Sequence, residues 1–260
     1  MAESFGTNPG RYDRARPRYP EALIERIVAA SPGPRMLDVG CGTGIAARQF
    51  QAEGCTVLGV EPDARMADFA RRTGVEVEEA TIETWDPAGR EFDAVVAAQA
   101  WHWVEPVAGA AKAARVLRPG GQLSLFWHTF QAPPEVSQAL AESYHRVVPD
   151  PPVKIPRGVQ TQAPPASGHN PYQQMIDKAA AGMREAGGFG APQQWQVDWD
   201  QFFTRDAYLD LVPTQGSMTG LPPDTLAQIL DAVGAAIDAM GGSFTMSHST
   251  VAVTATRTPA

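Results

Sequence analysis

The stretch Leu37-Asp38-Val39-Gly40-Cys41-Gly42-Thr43-Gly44 constrains this chain more than any other. A short apolar run opens into three glycines at alternate positions, and "IAARQFQAEG" follows with the apolar spacing of a helix. A strand that enters such a turn and leaves it as a helix presents bare backbone N–H groups at a helix N-terminus. The missing side chains let a ligand touch the main chain. A tight turn alone needs one glycine, so three imply a close neighbour.

The rest of the first half repeats the same alternation. "EALIERIVAA" has helical periodicity, "RMLDVG" is a buried strand, and Gly54 ends the helix after the glycine turn. "CTVLGVE" reads as a second strand. "DARMADFARRTG" reads as a helix capped by Asp63 and stopped at Gly74. "VEVEEA", "FDAVVAAQA" and "QLSLFWHTF" read as three further strands, with the helix "PVAGAAKAARVL" and the turn "RPGG" before the fifth. Strands alternating with helices predict βαβ units and a parallel sheet covered on both faces. The class is therefore α/β, Rossmann-like.

The pattern breaks after residue 130. "EVSQALAESYHRVV" is helical, 149–171 is rich in Pro, Gly and polar residues, and "YQQMIDKAAAGMREAGG" returns to helix. "QQWQVDWDQFF" alternates like a strand, two helices follow, and "SFTMSHSTVAVTATR" reads as the last strand. We expect a cofactor-binding core over 1–130, a helical cap over 131–220 that holds the acceptor, and a return to the core over 221–260. The composition of 149–171 predicts either a lid or a partly disordered insertion.

The second strand ends at Glu61, nineteen positions after Gly42. In a doubly wound sheet the carboxyl ends of neighbouring strands face one crevice. A carboxylate there accepts hydrogen bonds from both ribose hydroxyls, so the ligand contains a nucleoside. Gly42 to Ala47 also fits the dinucleotide pattern G-x-G-x-x-G/A, so glycine count leaves NAD open. Asp38 favours the other class. A carboxylate just before the turn repels a pyrophosphate and attracts a cation, and S-adenosylmethionine carries an ammonium and a sulfonium.

Charge and composition narrow the partners. Lys plus Arg number 21 against 29 Asp plus Glu, a net charge of -8 without a basic cluster, so nucleic acid is not an expected partner. No apolar run reaches the length of a membrane span, and the N-terminus has no secretory h-region. The two cysteines, Cys41 and Cys55, form neither a metal pattern nor a disulfide framework. No metal-ligand cluster or Ser-His-Asp spacing is visible. The expectation is a cytoplasmic chain acting on small molecules, with no membrane partner.

"LDVGCGTG", then "VEP" at Glu61-Pro62, then "RVLRPGG" together resemble the class I S-adenosylmethionine-dependent methyltransferases. "FGTNPGRYDRARPRYP" and "AQAWHWV" resemble the small-molecule branch with trans-aconitate-type and ubiquinone-type enzymes, some of them acting in secondary metabolism. The resemblance implies a seven-stranded sheet with an antiparallel last strand, and S-adenosylhomocysteine as product. It implies cofactor contacts from Asp38, Gly40, Cys41, Gly42 and Gly44, with Glu61 and Pro62 by the ribose. Met66, Thr81 and Ile82 would lie by the adenine, and Gln99 and Ala100 by the methionine moiety. Tyr12 and Arg16 would fold over the cofactor from the N-terminal segment. Lys112 departs from the glutamate of many relatives, and we expect it to be exposed and without effect on catalysis.

Methyl transfer from a sulfonium is an in-line displacement, so the protein mainly positions the nucleophile and excludes water. A base is needed only for a protonated acceptor. His102, between Trp101 and Trp103, is the candidate base. Trp101, Trp103, Trp127, Tyr144 and Tyr172 are candidate acceptor-pocket residues. The acceptor is expected to be a carboxylate, phenol or heterocycle. A fold that binds the cofactor without methylating, or an NAD-dependent oxidoreductase, is the rival reading.

Overall fold

A computed structural model describes residues 6–148 and 171–259. The predicted lid therefore lies outside the described residues, except for Pro171, which opens a helix.

The sheet has seven strands: β1 (Arg35–Val39), β2 (Thr56–Val60), β3 (Glu76–Glu78), β4 (Phe92–Ala98), β5 (Leu117–Gln131), β6 (Gln193–Thr204) and β7 (Ser243–Thr256). Their order is β3-β2-β1-β4-β5-β7-β6. The first five strands pair in parallel. β7 runs antiparallel to β5: Arg257 bonds Gly120 and Gly121, Ser124 meets Thr254 at 3.2 Å, and His128 meets Thr250 at 2.8 Å. Partner numbers fall along β7 as they rise along β5. The predicted seven strands and the antiparallel last strand are both present.

The helices are α1 (Pro9–Ala15), α2 (Glu21–Ala30), α3 (Ile45–Ala52), α4 (Ala64–Arg72), α5 (Pro106–Val116), α6 (Pro134–Val147), α7 (Pro171–Ala186), α8 (Arg205–Leu211) and α9 (Pro223–Ala239). Local sequence sets several ends. Asp63 accepts from the N–H groups of Arg65 and Met66 and so caps α4. Gly54 and Gly74 take positive φ just past α3 and α4. The predicted turn "RPGG" is instead drawn into β5 as an irregularity. Phe92 pairs with Leu117 but Ala94 with Gln122, so the extra residues bulge outward.

The chain divides into two compact units. One holds Arg18–Thr129, His169–Val197 and Ser249–Ala260. Its largest apolar core joins Leu37, Val60, Val95, Leu125 and Val253 of the sheet to Ala113 of α5 and Ile176 and Met183 of α7. A Cβ on Gly182 would fall 2.6 Å from the Pro106 carbonyl oxygen, so bare backbone lets α7 sit on the start of α5. The other unit holds Met1–Pro17, Phe130–Gly168 and Asp198–His248. Its core joins Val136 and Tyr144 of α6, Tyr208 and Leu211 of α8, and Ile229, Val233 and Ile237 of α9.

The strand order places the site. From β1 the chain moves outward to β2 and β3, then returns to the other side of β1 with β4 and β5. The reversal between β1 and β4 is a topological switch point, where the loops after the two strands diverge and leave a crevice.

Candidate functional site

The loop after β1 folds over the end of β2. The Gly40 and Cys41 N–H groups donate to the Val60 carbonyl at 2.7 and 3.3 Å, and the Gly44 N–H donates to the Cys41 carbonyl at 2.8 Å. Gly40, Gly42 and Gly44 all have positive φ. A Cβ on Gly40 would lie 2.5 Å from the Ala100 Cβ, so this glycine is required by packing as well as by backbone conformation. The Met66 methyl lies 3.8 Å from where a Gly42 Cβ would stand. The switch point thus brings together Asp38, the glycine loop, Glu61, Met66, Gln99 and Ala100.

Two buried carboxylates flank the loop. Glu61 accepts from the Gly42 and Asp63 N–H groups, each at 2.9 Å. Burial raises its pKa, and those backbone bonds offset the rise in part. Asp38 is wholly buried, and neither carboxylate oxygen has a well-formed hydrogen bond. Desolvation first, then the neighbouring Glu61 charge, pushes its pKa to about 8, with only partial relief from the Ala47 N–H. Neither carboxylate forms an ion pair among the described residues. The Thr43 hydroxyl is likewise buried without a partner. Such groups are costly in a finished core and call for a ligand. A cation satisfies Asp38, whereas a pyrophosphate would be repelled. The donor set fits the charged methionine end of S-adenosylmethionine.

Gln99 supports the same position. Gln99 and Ala88 are the two non-glycine residues with positive φ among the described residues. Gln99 stands at φ 59°, immediately after β4, held by its N–H bond to the Phe126 carbonyl at 2.9 Å. Non-glycine residues persist in this conformation where the surroundings impose it, often at ligand sites. The Cys41 side chain packs over Gly59 of the sheet, with its thiol 3.9 Å from the Gly42 carbonyl. Its thiol is free and buried, and desolvation pushes its pKa well up, which keeps it inert.

The remaining predicted residues divide by environment. Pro62 and Thr81 are exposed and Ile82 is buried in the core. Trp101 turns into the core against Gly109, while Trp103 is half exposed. His102 lies between them on a 3-10 turn, tilted against Trp103 with ring centroids 4.8 Å apart. Desolvation draws the His102 pKa down, although the side chain is solvent-exposed, so solvent limits the size of that shift. Trp127 is fully buried and its indole N–H has no partner among the described residues. Tyr172 is half-buried on α7.

Tyr12, Arg16 and Tyr144 belong to the other unit. Arg11 and Arg14 of α1 pair with Asp210 of α8 at 2.8 Å each. Arg16 donates to the Thr214 carbonyl and stacks 4.9 Å over the Tyr12 ring. Tyr144 is fully buried, with no hydrogen-bond partner for its hydroxyl among the described residues.

One expectation is corrected. Lys112 is half-buried rather than exposed, and its ammonium donates to the Trp85 carbonyl. A carbonyl in reach of a helix face draws in a long cation, and helical periodicity alone does not reveal it. Sequence reasoning also missed Thr43, although it lies within the quoted motif.

Comparison with known proteins agrees with the geometry. The methyltransferase domain family matches residues 37–125. An uncharacterized methyltransferase of Mycobacterium bovis is 30% identical over 235 residues, covering 90% of this chain and 85% of that one. A malonyl-acyl-carrier-protein O-methyltransferase of Enterobacter lignolyticus is 32% identical over 145 residues, covering 54% of this chain and 57% of its own. A solved structure from Anaeromyxobacter dehalogenans, described provisionally as a type II methyltransferase, has the same fold. Its TM-score is 0.65 at 23% identity, over 94% of this chain and 99% of that one. With a buried carboxylate beside a glycine loop at the switch point, and a methyltransferase relative aligned along nearly the whole chain, this protein belongs to the class I S-adenosylmethionine-dependent methyltransferases.

Proposed function

We propose that the enzyme methylates an oxygen or nitrogen of a small organic acceptor. When bound, the cofactor supplies an electrophilic methyl group on a sulfonium. The chain's own residues do the rest. Asp38 faces the cationic methionine end, Glu61 accepts from the ribose hydroxyls, and Met66, Thr81 and Ile82 border the adenine. Gln99 and Ala100 fix the methionine moiety beside the glycine loop. Acceptor selection is assigned to 131–220.

One observation carries the acceptor side. The chain leaves β4 at Gln99 and within three residues presents an imidazole on a short turn. Trp101 anchors that turn in the core, and the His102 ring is exposed beside Trp103. Desolvation draws its pKa down, which favours the neutral ring that a base requires. His102 is therefore the group that accepts the proton of a hydroxyl or N–H acceptor, with Trp103 beside it. The Enterobacter relative is named for O-methylation of a malonyl group, which supports oxygen as the target and keeps the ester outcome, with no base, as the alternative.

The test is transfer of labelled methyl from S-adenosylmethionine to small acids, phenols and N-heterocycles, followed by mild base. Base-stable label identifies ether or N-methyl products. His102→Ala then lowers kcat by about 10²–10⁴-fold with cofactor affinity unchanged. Base-labile label identifies methyl esters, for which no base is required, and removes His102 from the chemistry.

A further inference from the structure

The loop between β3 and β4 is held by more polar contacts than a surface connection needs. It begins beside the site, because the Glu61 N–H donates to the Glu78 carbonyl at 3.1 Å across the ends of β2 and β3. The Glu78 carboxylate then accepts from the Trp85 indole and from Arg90 in a two-point pair at 2.6 and 2.9 Å. Arg90 also donates to the Pro87 carbonyl at 2.8 Å and stands 5.3 Å over the Trp85 ring. Its guanidinium holds the Glu78 carboxyl below the usual carboxylate range.

The loop is tied to α5 as well. Glu83 accepts from the N–H of Glu105, the residue that caps this helix, at 3.2 Å. Lys112, about two turns further along the helix, donates to the Trp85 carbonyl. Inside the loop the Trp85 N–H donates to the Thr81 carbonyl at 2.9 Å, which closes Thr81–Trp85 into a single turn. Ile82 and Trp85 are anchored in the core, while Thr81 stays exposed. A chain tied at both sides has little freedom to adapt to a ligand, so its groups are already in place when one arrives.

We infer that Lys112 is a positioning residue for the cofactor: through the Trp85 carbonyl it fixes the Thr81–Trp85 turn against which the adenine edge is read. The inference rests on the reading that Thr81 and Ile82 border the adenine. Lys112 touches no part of the cofactor itself. Backbone and hydroxyl groups of a rigid turn read a base edge through donor and acceptor pattern, and they lose discrimination when the turn is freed.

Calorimetry with S-adenosylhomocysteine and with its inosine counterpart, in which a carbonyl replaces the adenine amino group, tests this. The wild-type protein prefers the adenine compound. In Lys112→Met, affinity for S-adenosylhomocysteine falls about tenfold, the scale of one charge-assisted hydrogen bond, and the preference between the two bases shrinks with it. Lys112→Arg, which can still donate to the carbonyl, restores both. A thermal melt of each variant separates these effects from unfolding. A Met variant that keeps wild-type affinity and preference overturns the role of Lys112 while leaving the adenine site intact. A wild-type protein with no preference overturns the adenine reading itself, and the inference with it.

Discussion

Two acidic clusters stand side by side at the ends of β1, β2 and β3, and they are finished differently. Around Glu78, Arg90 and the Trp85 indole meet the carboxylate and Lys112 secures the loop. Around Asp38, the Glu61 charge adds to the cost of burial, and neither oxygen has a well-formed bond among the described residues. The first cluster lies partly in solvent and has its cation; the second is wholly buried and lacks one. Desolvation makes an unpaired buried charge far more costly than a surface pair is favourable. The unsatisfied carboxylate thus stands at the proposed cofactor site, held toward its protonated form by burial, while the satisfied one stands where it ties a loop.

The contrast can be broken most severely at Gly40. In Gly40→Ala the new methyl meets Ala100 in a backbone conformation that disfavours any side chain. Calorimetry should find cofactor binding abolished, with a stability loss of about 1–3 kcal/mol by denaturant titration.

Asp38→Asn sharpens the contrast, because it removes the charge and keeps the shape. Affinity for S-adenosylmethionine should fall about tenfold or more. Stability of the ligand-free protein should move the other way. Asp38 has its pKa raised from 3.8 to about 8, so between those values the folded state holds a proton that the unfolded state releases. Stability then falls as pH rises from about 4 to about 8. In Asp38→Asn that contribution to the slope disappears, and the variant is the more stable protein at pH 8. Cofactor affinity in the wild type should rise across the same window, since the cation requires the carboxylate. Unfolding free energies across that range, with and without cofactor, check both slopes. A variant with the wild-type slope would remove Asp38 from the account.

The smallest effect is expected at Glu78→Gln. The Arg90–Glu78 pair is 30% and 39% exposed, so solvent screens much of its attraction. Loss of the pair should cost no more than about 1 kcal/mol in a thermal or denaturant melt. A loss as large as that in Gly40→Ala would mean that this cluster supports the core and not only the loop.

Legibility in the sequence follows the range of the interactions. The helix caps and stops at Asp63, Gly54 and Gly74 and the glycine turn are set by neighbours a few positions apart and stand where predicted, as do the strands apart from the start of β5. The candidate cofactor residues were legible for the same reason: Gly40, Gly42, Gly44 and Asp38 form one motif, and Glu61 directly follows the next strand. Lys112 was not readable. Its partner, the Trp85 carbonyl, lies 27 positions away and is met only when α5 packs beside the loop. The strain at Gln99 was equally hidden, because φ depends on how β4 and β5 fix the chain, not on the residue type.

The sequence by itself determined the alternation of strands and helices, the bare backbone at the glycine turn and the carboxylates beside it. Periodicity and local backbone chemistry fix these. Only the tertiary structure decided that Asp38 lacks a partner while Glu78 has several, that Trp101 turns inward as His102 faces out, and that Lys112 clasps a loop. Burial and pairing are properties of the assembled sheet and its helices. They set the worth of a charge, which no residue carries before the fold surrounds it.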